Sequence, residues 1–383
     1  MKSTPKKILS LFMSLLMLLS VTSGLAFTSF ADDEIKTYGE FEYKTDGSDI
    51  YIYQYTGTDA DVVIPSEIDG MKVTVLGGYS HTNTIFDPEA KIRSVTIPET
   101  VTDVFVGAVI NPFLKNIYVD ENNAVYRSED GVLFNKDMTE IITFPSAKSG
   151  SYYEVPDSVT KIRAYAFCSN TLITEIKLPD SITEINDGAF SGCVALKSIN
   201  IPNEVQHLGG GVFENCSSLE SIEIPDGITE ISGWLFTQCW SLKKVILPDT
   251  ITSIGEYAFY TCINLEEINF PDSLAKIDFL TFAHCYALKN VTIPAGVTDI
   301  DLSAFNGCTS LTEFNVDENN SNYISADGVL YSKDMTTLVA FPSGKSGDFT
   351  KSAADINSDG KVTSAEARNI LRFAARLANT IDG

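Results

Sequence analysis

Two consecutive stretches decide the fold: LPDSITEINDGAFSGCVALKSIN, residues 178–200, and IPNEVQHLGGGVFENCSSLESIE, residues 201–223. They align position by position, with an apolar-Pro pair first, a central Phe, a Cys three residues later and a closing Leu-x-x-Ile. The unit recurs before residue 178 and after residue 223, and each apolar-Pro pair follows the previous one by 23 residues. The prolines are Pro156, Pro179, Pro202, Pro225, Pro248, Pro271 and Pro294. A period this strict predicts a repeat architecture.

The closing Leu-x-x-Ile-x-Ile pattern, as in residues 196–201, puts its last two apolar side chains on one face of a short strand. One unit cannot bury that face alone, so successive units have to stack on one another. The proline ends the strand and turns the chain into the return half of the coil. The sequence therefore predicts a β-rich solenoid of 23-residue coils, in which turns or short helices complete each coil.

The units resemble the BspA-like class of bacterial leucine-rich repeats. The stretch FEYKTDGSDIYIYQYTGTDADVVIPSEIDGMKVTVLG, from Phe41, is similar to the capping segment that usually precedes them. Two segments that end at Gly150 and Gly347 share DGVL-x-x-KDMT, which indicates inserted β-hairpins. The resemblance implies a leucine-rich-repeat solenoid in a secreted or surface protein, and it implies no enzymatic reaction. We divide this region into a capping segment with the first coil (32–96) and repeats (97–347) with hairpins near 119–150 and 316–347.

The N-terminus has the pattern of a secretory signal. Lys2, Lys6 and Lys7 precede an apolar run from Ile8 to Leu19, and small residues flank a cleavage position after Ala31. An N-terminal membrane anchor is the alternative, but the run is short for a membrane span. We therefore predict a signal peptide over residues 1–31 and a secreted or extracellular protein with no membrane insertion after cleavage.

The charge balance excludes several classes of partner. The chain has 27 basic and 51 acidic residues and a net charge of −24, which becomes −27 without the three lysines of the signal. Such a surface repels nucleic acid and anionic lipid. The three histidines are dispersed, and no serine-hydrolase, P-loop or dinucleotide motif is present. We expect no enzymatic activity; a hydrolase with a carboxylate pair for glycoside hydrolysis is the disfavoured alternative, because nothing singles out a pair among the 51 acids.

Six of the seven cysteines recur with the repeat. They are Cys193, Cys216, Cys239, Cys262, Cys285 and Cys308; Cys168 departs from the pattern. Equivalent positions in stacked coils form a ladder, in which a buried thiol acts as a small apolar group with a weak hydrogen bond. Disulfides or a metal ladder are the alternatives. Stacked parallel side chains seldom offer disulfide torsions, and zinc sites use clustered Cys or His.

Two rows of side chains lie outside this core pattern. Lysine and glutamate alternate in sign at Lys197, Glu220, Lys243, Glu266 and Lys289, which predicts cross-strand ion pairs that specify register. An aromatic group occupies neighbouring coils at Trp234, Trp240, Tyr257, Tyr260 and Tyr286. Exposed aromatic rings form platforms for sugars or for the anchor residues of a protein partner. Packing between coils is the alternative role for these rings.

A twelve-residue calcium loop, DINSDGKVTSAE, follows the repeats at residues 355–366. Its spacing puts oxygen ligands at alternating positions, a glycine at the sharp turn and a glutamate at position 12. The predicted calcium ligands are Asp355, Asn357, Asp359, Lys361 through its carbonyl, Thr363 and Glu366. An amphipathic helix follows, with an apolar stripe through Ile370, Ala374 and Leu377. The preceding residues lack helical periodicity.

The loop and its exiting helix resemble one type I dockerin repeat. This resemblance implies calcium-dependent binding to a cohesin domain, with Ser364, Ala365, Arg372 and Arg376 at the cohesin-contacting positions. It also implies recruitment to a cellulosome-like, polysaccharide-degrading complex. Dockerins usually have two such repeats and this chain shows one, so a calcium-stabilised cap of the solenoid is the alternative. We expect a non-catalytic protein that binds a protein or glycan ligand through its repeats, or else a free secreted or surface adhesin.

Overall fold

The computed structural model describes residues 34–78 and 84–345. Within these ranges it contains strands joined by turns and no helix, and its 23-residue coils confirm the predicted solenoid. The predicted signal peptide (1–31) and C-terminal calcium segment (348–383) lie outside the described residues. The chain divides into two compact units, Met1–Lys148 and Ser149–Gly383.

Unit 1 begins with a curved sheet in the order β1-β2-β3-β6-β5, with β8 also paired to β6. The first three strands are antiparallel, and β3 pairs with β6 in parallel, as do β6 and β8. Alternate residues such as Ile50, Ile52 and Val73 are fully buried, as a half-buried strand pattern requires. The strands are β1 Lys36–Tyr38, β2 Phe41–Thr45, β3 Asp49–Tyr55, β4 Asp61–Val63, β5 Glu67–Ile68, β6 Met71–Leu76, β7 Ser94–Ile97, β8 Asp103–Val104, β9 Asn116–Val119, β10 Tyr126–Glu129, β11 Val132–Asn135 and β12 Glu140–Thr143.

Two smaller groups of strands complete unit 1. Strands β4, β7 and β9 form a parallel ladder, in which Val62, Val95 and Ile117 stack in register. Strands β10, β11 and β12 form an antiparallel meander in the segment where the sequence predicts an inserted hairpin. Asn123, at the start of this segment, is fully buried and its side chain bridges the carbonyl oxygens of Pro98 and Val101.

Unit 2 consists of stacked coils, most of which have two short strands. The first strand of a coil follows the closing Leu, and the second follows the proline by five residues or so. Residues 23 apart pair in parallel, as Ile176 does with Ile199 and Ile185 with Leu208. The strands are β13 Tyr152–Glu154, β14 Lys161–Ile162, β15 Glu175–Lys177, β16 Glu184–Ile185, β17 Ser198–Ile199, β18 His207–Leu208, β19 Ser221–Glu223, β20 Glu230–Ile231, β21 Lys244–Ile246, β22 Ser253–Ile254, β23 Lys276–Ile277, β24 Asn290–Ile293, β25 Asp299–Ile300, β26 Glu313–Val316, β27 Tyr323–Ala326, β28 Val329–Ser332 and β29 Leu338–Ala340.

A column of stacked phenylalanines forms the centre of unit 2. Neighbouring rings lie 5.1–5.7 Å apart between centroids, and most pairs are near parallel. The column consists of Phe167, Phe190, Phe213, Phe236, Phe259, Phe282 and Phe305. Because every coil has 23 residues, each coil places its Phe at the equivalent position directly beside the Phe of the coil before it. The stack is therefore continuous. Each ring buries a large apolar area, so the column supplies much of the packing between coils.

The six repeated cysteines line the core beside this column. Each thiol donates a hydrogen bond to the carbonyl oxygen of the Phe in the preceding coil, with sulfur–oxygen distances of 3.1–3.2 Å. All seven cysteines are free thiols, and the six in the ladder are fully buried. Each of these carbonyl oxygens also accepts a backbone N–H from its own coil, as Phe190 does from Cys193, so the thiol adds a second donor that comes from the next coil. Asn170 is the buried residue at this position in the first coil of the column.

The last strands of unit 2 form a second antiparallel meander, β27-β28-β29. It lies within the second segment where the sequence predicts a hairpin. Asn320 repeats the arrangement of Asn123, since its amide bridges the carbonyl oxygens of Pro294 and Val297. Both segments thus use an equivalent buried asparagine to hold the chain as it leaves the coil.

Candidate functional site

The candidate site lies on the turn-rich side of the coils in unit 2, where the backbone takes up an uncommon conformation. The residue two positions before each Phe has a positive φ in six consecutive coils, and we call these residues the left-handed column. They are Tyr165, Gly188, Gly211, Trp234, Tyr257 and Leu280, with φ of 50–63°. Backbone amides hold the column, because Trp234 N–H donates to Glu256 and Tyr257 N–H donates to Phe279 in the next coil. Glycine suits this conformation best, and a bulky residue there costs about 1–2 kcal/mol.

Aromatic side chains of the column begin a chain of touching rings. The Trp234 and Tyr257 rings stack with centroids 4.2 Å apart and planes inclined by 23°. Tyr257 then meets Tyr260 edge to face at 5.5 Å, Tyr260 meets His284 at 5.7 Å, and His284 meets Tyr286 at 5.8 Å. We call these five residues the aromatic track. It crosses three coils, from half-buried Trp234 to Tyr286, which is 45% exposed.

The track contains four of the five aromatic residues that the sequence indicated. The structure adds His284, which bridges Tyr260 and Tyr286, and Phe279, whose ring lies 5.4 Å from that of Tyr257 and is 39% exposed. Sequence reasoning treated His284 as a dispersed histidine and passed over Phe279. His284 follows Tyr260 by 24 residues and Phe279 follows Tyr257 by 22, each one residue off the 23-residue period, so a search at the exact period misses both.

Trp240 stands apart from the track. It is 48% exposed and, in the part of the chain that the structure describes, its indole makes no ring contact. Trp240 occupies the same repeat position as Tyr286, but Ile263 lies between them in the intervening coil. The Asn264 side-chain amide donates to the Trp240 carbonyl oxygen at 2.7 Å. The structure therefore places Trp240 as a separate exposed ring, and the predicted group of five aromatics is not a single patch.

A notch opens where the left-handed column carries glycine. The Tyr165 ring lies over Gly188, since a Cβ built on that glycine would be 2.4 Å from Tyr165 Cε1. At Gly211 a Cβ would find its nearest neighbours at 3.7 Å, the Glu214 carboxylate, and at 3.9 Å, the Trp234 Cβ. Since these are ordinary van der Waals distances, Gly211 leaves room for about one methyl group beside Trp234, and we call this space the Gly211 notch.

The Glu214 carboxyl group gives the notch its polar chemistry. Burial raises the pKa of Glu214 to about 7, and a hydrogen bond with Ser191 opposes part of this rise. Near neutral pH the group therefore exchanges between carboxylate and acid, so that it can accept or donate a hydrogen bond. Burial also raises the pKa of Tyr165 to about 12, which keeps the neighbouring phenol protonated. The notch thus combines an aromatic wall with one adaptable carboxyl group.

The alternating charges form a weaker feature than predicted. Lys289 Nζ lies 3.2 Å from Glu266 Oε2, and within the described residues this is the single ion pair of the row. Both side chains are more than half exposed, and such pairs contribute about 0.2–1 kcal/mol. Lys197, Glu220 and Lys243 form no ion pair with one another in the described structure, so the prediction of a continuous ladder was wrong. Exposed lysines and glutamates gain too little from pairing to give up their rotamer freedom.

Other predicted residues are placed as follows. His207 is exposed on β18, away from the track, and His81 lies outside the described residues. So do the predicted calcium ligands and cohesin contacts: Asp355, Asn357, Asp359, Lys361, Thr363, Ser364, Ala365, Glu366, Arg372 and Arg376. No group of metal-ligating side chains occurs among residues 34–78 and 84–345. A search of the same residues for a helix with the length and apolarity of a membrane span found none.

Comparisons with known proteins agree with this architecture. The model of the BspA type leucine rich repeat region matches six copies over residues 141–247 and 234–344. A crystal structure of a leucine-rich repeat protein from Eubacterium ventriosum aligns with a TM-score of 0.57 at 20% identity, covering 78% of this chain and 99% of that one.

Two further crystal structures match less closely in shape. A leucine rich cell surface protein from Faecalibacterium prausnitzii aligns with a TM-score of 0.43 at 24% identity, covering 74% of this chain and 89% of that one. A leucine-rich repeat protein from Bacteroides ovatus gives 0.36 at 22% identity, covering 76% and 89%. No curated protein matches the chain. Since the family model covers more than half of the sequence, the chain belongs to the family of proteins with BspA-type leucine-rich repeats.

Proposed function

We propose that this protein is an exported, non-catalytic repeat protein that binds an extracellular ligand through the aromatic track and the Gly211 notch. The observation that carries the proposal is the Trp234–Tyr257 stack, built on two left-handed backbone positions that the two preceding coils fill with Gly188 and Gly211. Bulky residues persist in such a conformation only where the surrounding structure holds them, and strained positions cluster at functional sites. Stacked repeats typically use an extended surface to bind partners.

The ligand that fits this surface best is a neutral glycan. Flat aromatic faces offer apolar platforms, and the Glu214 carboxyl group beside Trp234 can exchange hydrogen bonds with sugar hydroxyls. The net charge of −24 disfavours an anionic polymer. A protein partner that inserts anchor residues between the rings is the second candidate, favoured by the exposed, separate Trp240.

The test is a binding screen against neutral glycans with a double variant, Trp234→Ala and Tyr257→Ala. We expect the variant to lose binding by more than tenfold, since anchor residues of this kind contribute about 2 kcal/mol or more. Tyr152→Ala is the matched control, because Tyr152 is 50% exposed in the same unit but lies outside the track. Unchanged glycan and protein binding by the double variant would reject the proposal.

We also propose that the C-terminal segment recruits the protein to a cohesin-bearing scaffold in a calcium-dependent manner. The support for this is the loop spacing from Asp355 to Glu366 and the resemblance to a dockerin repeat. The scaffold would belong to a polysaccharide-degrading complex, where glycan binding by the repeats has a direct use. Pull-down by cohesin domains in calcium but not in a chelator supports recruitment. Calcium binding without any cohesin binding favours a free secreted or surface adhesin with a calcium-stabilised cap.

A further inference from the structure

Glu214 is a partly buried carboxyl group that lacks a cationic partner in the described structure. Within residues 34–78 and 84–345, none of the ion pairs includes Glu214. No lysine or arginine lies close enough to lower its pKa, and the Ser191 hydroxyl is the group that hydrogen-bonds to it. Withdrawing a carboxylate from water without a counter-charge is costly, so a cation supplied by a ligand would be stabilising here.

Two aromatic side chains lie on opposite sides of Gly211 along the stack of coils. Trp234, in the coil after Gly211, has one ring face against Tyr257 of the following coil, so its other face is directed back toward Gly211. Tyr165 belongs to an earlier coil, and its ring lies over Gly188, in the coil before Gly211. Because neighbouring coils are about 4.8 Å apart, a group held over Gly211 lies about 5 Å from each aromatic side chain. This is within the reach of about 6 Å for a cation–π interaction.

The carboxylate and the rings are close enough to act on one ligand. Glu214 Oε2 is 3.7 Å from the position of a Cβ on Gly211, and the Trp234 Cβ is 3.9 Å from it. Burial raises the pKa of Tyr165 to about 12, and the nearby carboxyl groups of Asp187 and Glu214 add to this rise. The Gly211 notch therefore combines aromatic walls with negative charge, which is the combination that favours a bound cation.

We propose that the Gly211 notch binds the ammonium group of a lysine side chain from a protein partner. The notch has room for about one methyl group, and an ammonium group is of that size. Lysine presents it as a compact charge at the end of a slender chain, whereas the planar guanidinium of arginine is wider. An amino sugar carries its amine directly on a bulky ring. This inference goes beyond the glycan binding proposed for the aromatic track and does not depend on it.

The probe is lysine with its α-amino group acetylated and its carboxyl group methylamidated, so that the side-chain ammonium is its only charge. The readout is the pair of indole N–H signals in the NMR spectrum of the full-length protein, because Trp234 and Trp240 are its two tryptophans. We expect a saturable shift of the Trp234 signal. The Trp240 signal, assigned with Trp240→Phe, should stay in place, since that ring stands apart from the track.

The matched control probe has a hydroxyl group in place of the ammonium at the same chain length. It should bind about tenfold more weakly, because it loses the charge-assisted hydrogen bond and the cation–π interaction. No saturable shift of the Trp234 signal, equal shifts of both indole signals, or equal binding of the hydroxyl probe would each overturn the proposal. So would tighter binding of glucosamine than of the lysine probe.

Lysine binding should also depend on pH through Glu214. The pKa of Glu214 is about 7, whereas the lysine ammonium keeps its proton up to about pH 10. Binding should therefore be about tenfold or more weaker at pH 5.5 than at pH 8.5, because the carboxylate becomes protonated. Burial raises the pKa of the neighbouring phenol and thiols, which stay neutral at both pH values. The titratable groups near Glu214 are Tyr165, Cys168, Cys239 and the exposed Asp187.

Variants assign the effect to Glu214. Glu214→Gln keeps the size of the side chain and removes its charge, so lysine binding should weaken about tenfold at pH 8.5 and lose its pH dependence. Glu220→Gln is the matched control, because it removes an exposed carboxylate of the same coil outside the notch, and it should bind like the wild type. Wild-type binding by Glu214→Gln, or a pH dependence that persists in it, would overturn the proposal.

The wild-type protein separates this inference from the proposed glycan function. Saturable lysine binding without binding of any neutral glycan rejects the glycan function alone. Glycan binding without a response to the lysine probe rejects the lysine site alone.

Discussion

The thiol of Cys216 donates a hydrogen bond to the carbonyl oxygen of Phe190, at 3.2 Å and 26 residues earlier in the chain. The same contact recurs in each coil from Cys193 to Cys308, so that it links every coil to the one before it. The thiols are fully buried, and burial raises the pKa of Cys216 well above its usual value. The cysteines therefore act as neutral hydrogen-bond donors in the core and not as nucleophiles.

Two substitutions of Cys216 separate the contribution of its packing to stability from the contribution of its hydrogen bond. Cys216→Ala removes one of the two donors to the Phe190 carbonyl oxygen, which keeps the Cys193 N–H, and it creates a small cavity. We therefore expect a loss of about 1–2 kcal/mol in the free energy of unfolding. Cys216→Ser keeps a donor and should lose less. Urea denaturation followed by circular dichroism measures both, and equal losses for the two variants would show that the hydrogen bond contributes nothing.

Glu214 predicts a dependence of stability on pH. Its pKa is about 7 in the folded protein against 4.5 in the unfolded chain, so the folded state holds a proton that the unfolded state has released. Protonated Glu214 therefore makes its full contribution to the stability of the folded state below about pH 4.5. This contribution is lost as the pH rises through 7. With 1.36 kcal/mol per pKa unit, the difference reaches at most about 3 kcal/mol.

Glu214→Gln should remove this dependence and raise stability at pH 8 relative to the wild type. Thermal unfolding at pH 5 and pH 8 measures the effect, and comparison of the two proteins cancels the contributions of other carboxylates. A wild-type and a variant curve that stay parallel over this range would contradict the assigned pKa.

Gly211→Ala tests the notch. The substitution puts a side chain at φ +60°, which costs about 1–2 kcal/mol, and it fills the space beside Trp234. We expect a modest loss of stability and weaker glycan binding in the screen proposed above. Gly39→Ala is the control for strain, since Gly39 has φ +56° and nothing lies within 4 Å of its Cβ position. Loss of glycan binding in the control as well would point to a general defect.

The calcium loop makes a prediction that is independent of the repeats. Calorimetric titration of the full chain with calcium should give a heat of binding, and helicity should increase as the loop orders its exiting helix. A variant with Asp355→Ala and Asp359→Ala should show neither signal, because it lacks two carboxylate ligands. If wild type and variant behave alike, the segment is not a calcium site.

Much of unit 2 could be predicted because a strict period translates directly into contacts. Residues 23 apart, such as Phe213 and Phe236, must stack once the coils have equal length, and the structure shows that they do. The charge row had the same periodicity and gave one ion pair, Lys289–Glu266. The difference is physical. Apolar rings are stabilised when they pack together away from water, whereas exposed charges are solvated about as well when they lie apart as when they pair.

The sequence alone determined the repeat length, the residues of the core column and the ladder of cysteines. Each of these follows from periodic burial, because the spacing of apolar residues along the chain already specifies which positions are buried. The tertiary structure alone decided the left-handed column and the bridging of Tyr260 to Tyr286 by His284. These depend on backbone dihedrals and ring orientations that neighbouring coils impose, and such contacts between coils have no signature in the local sequence.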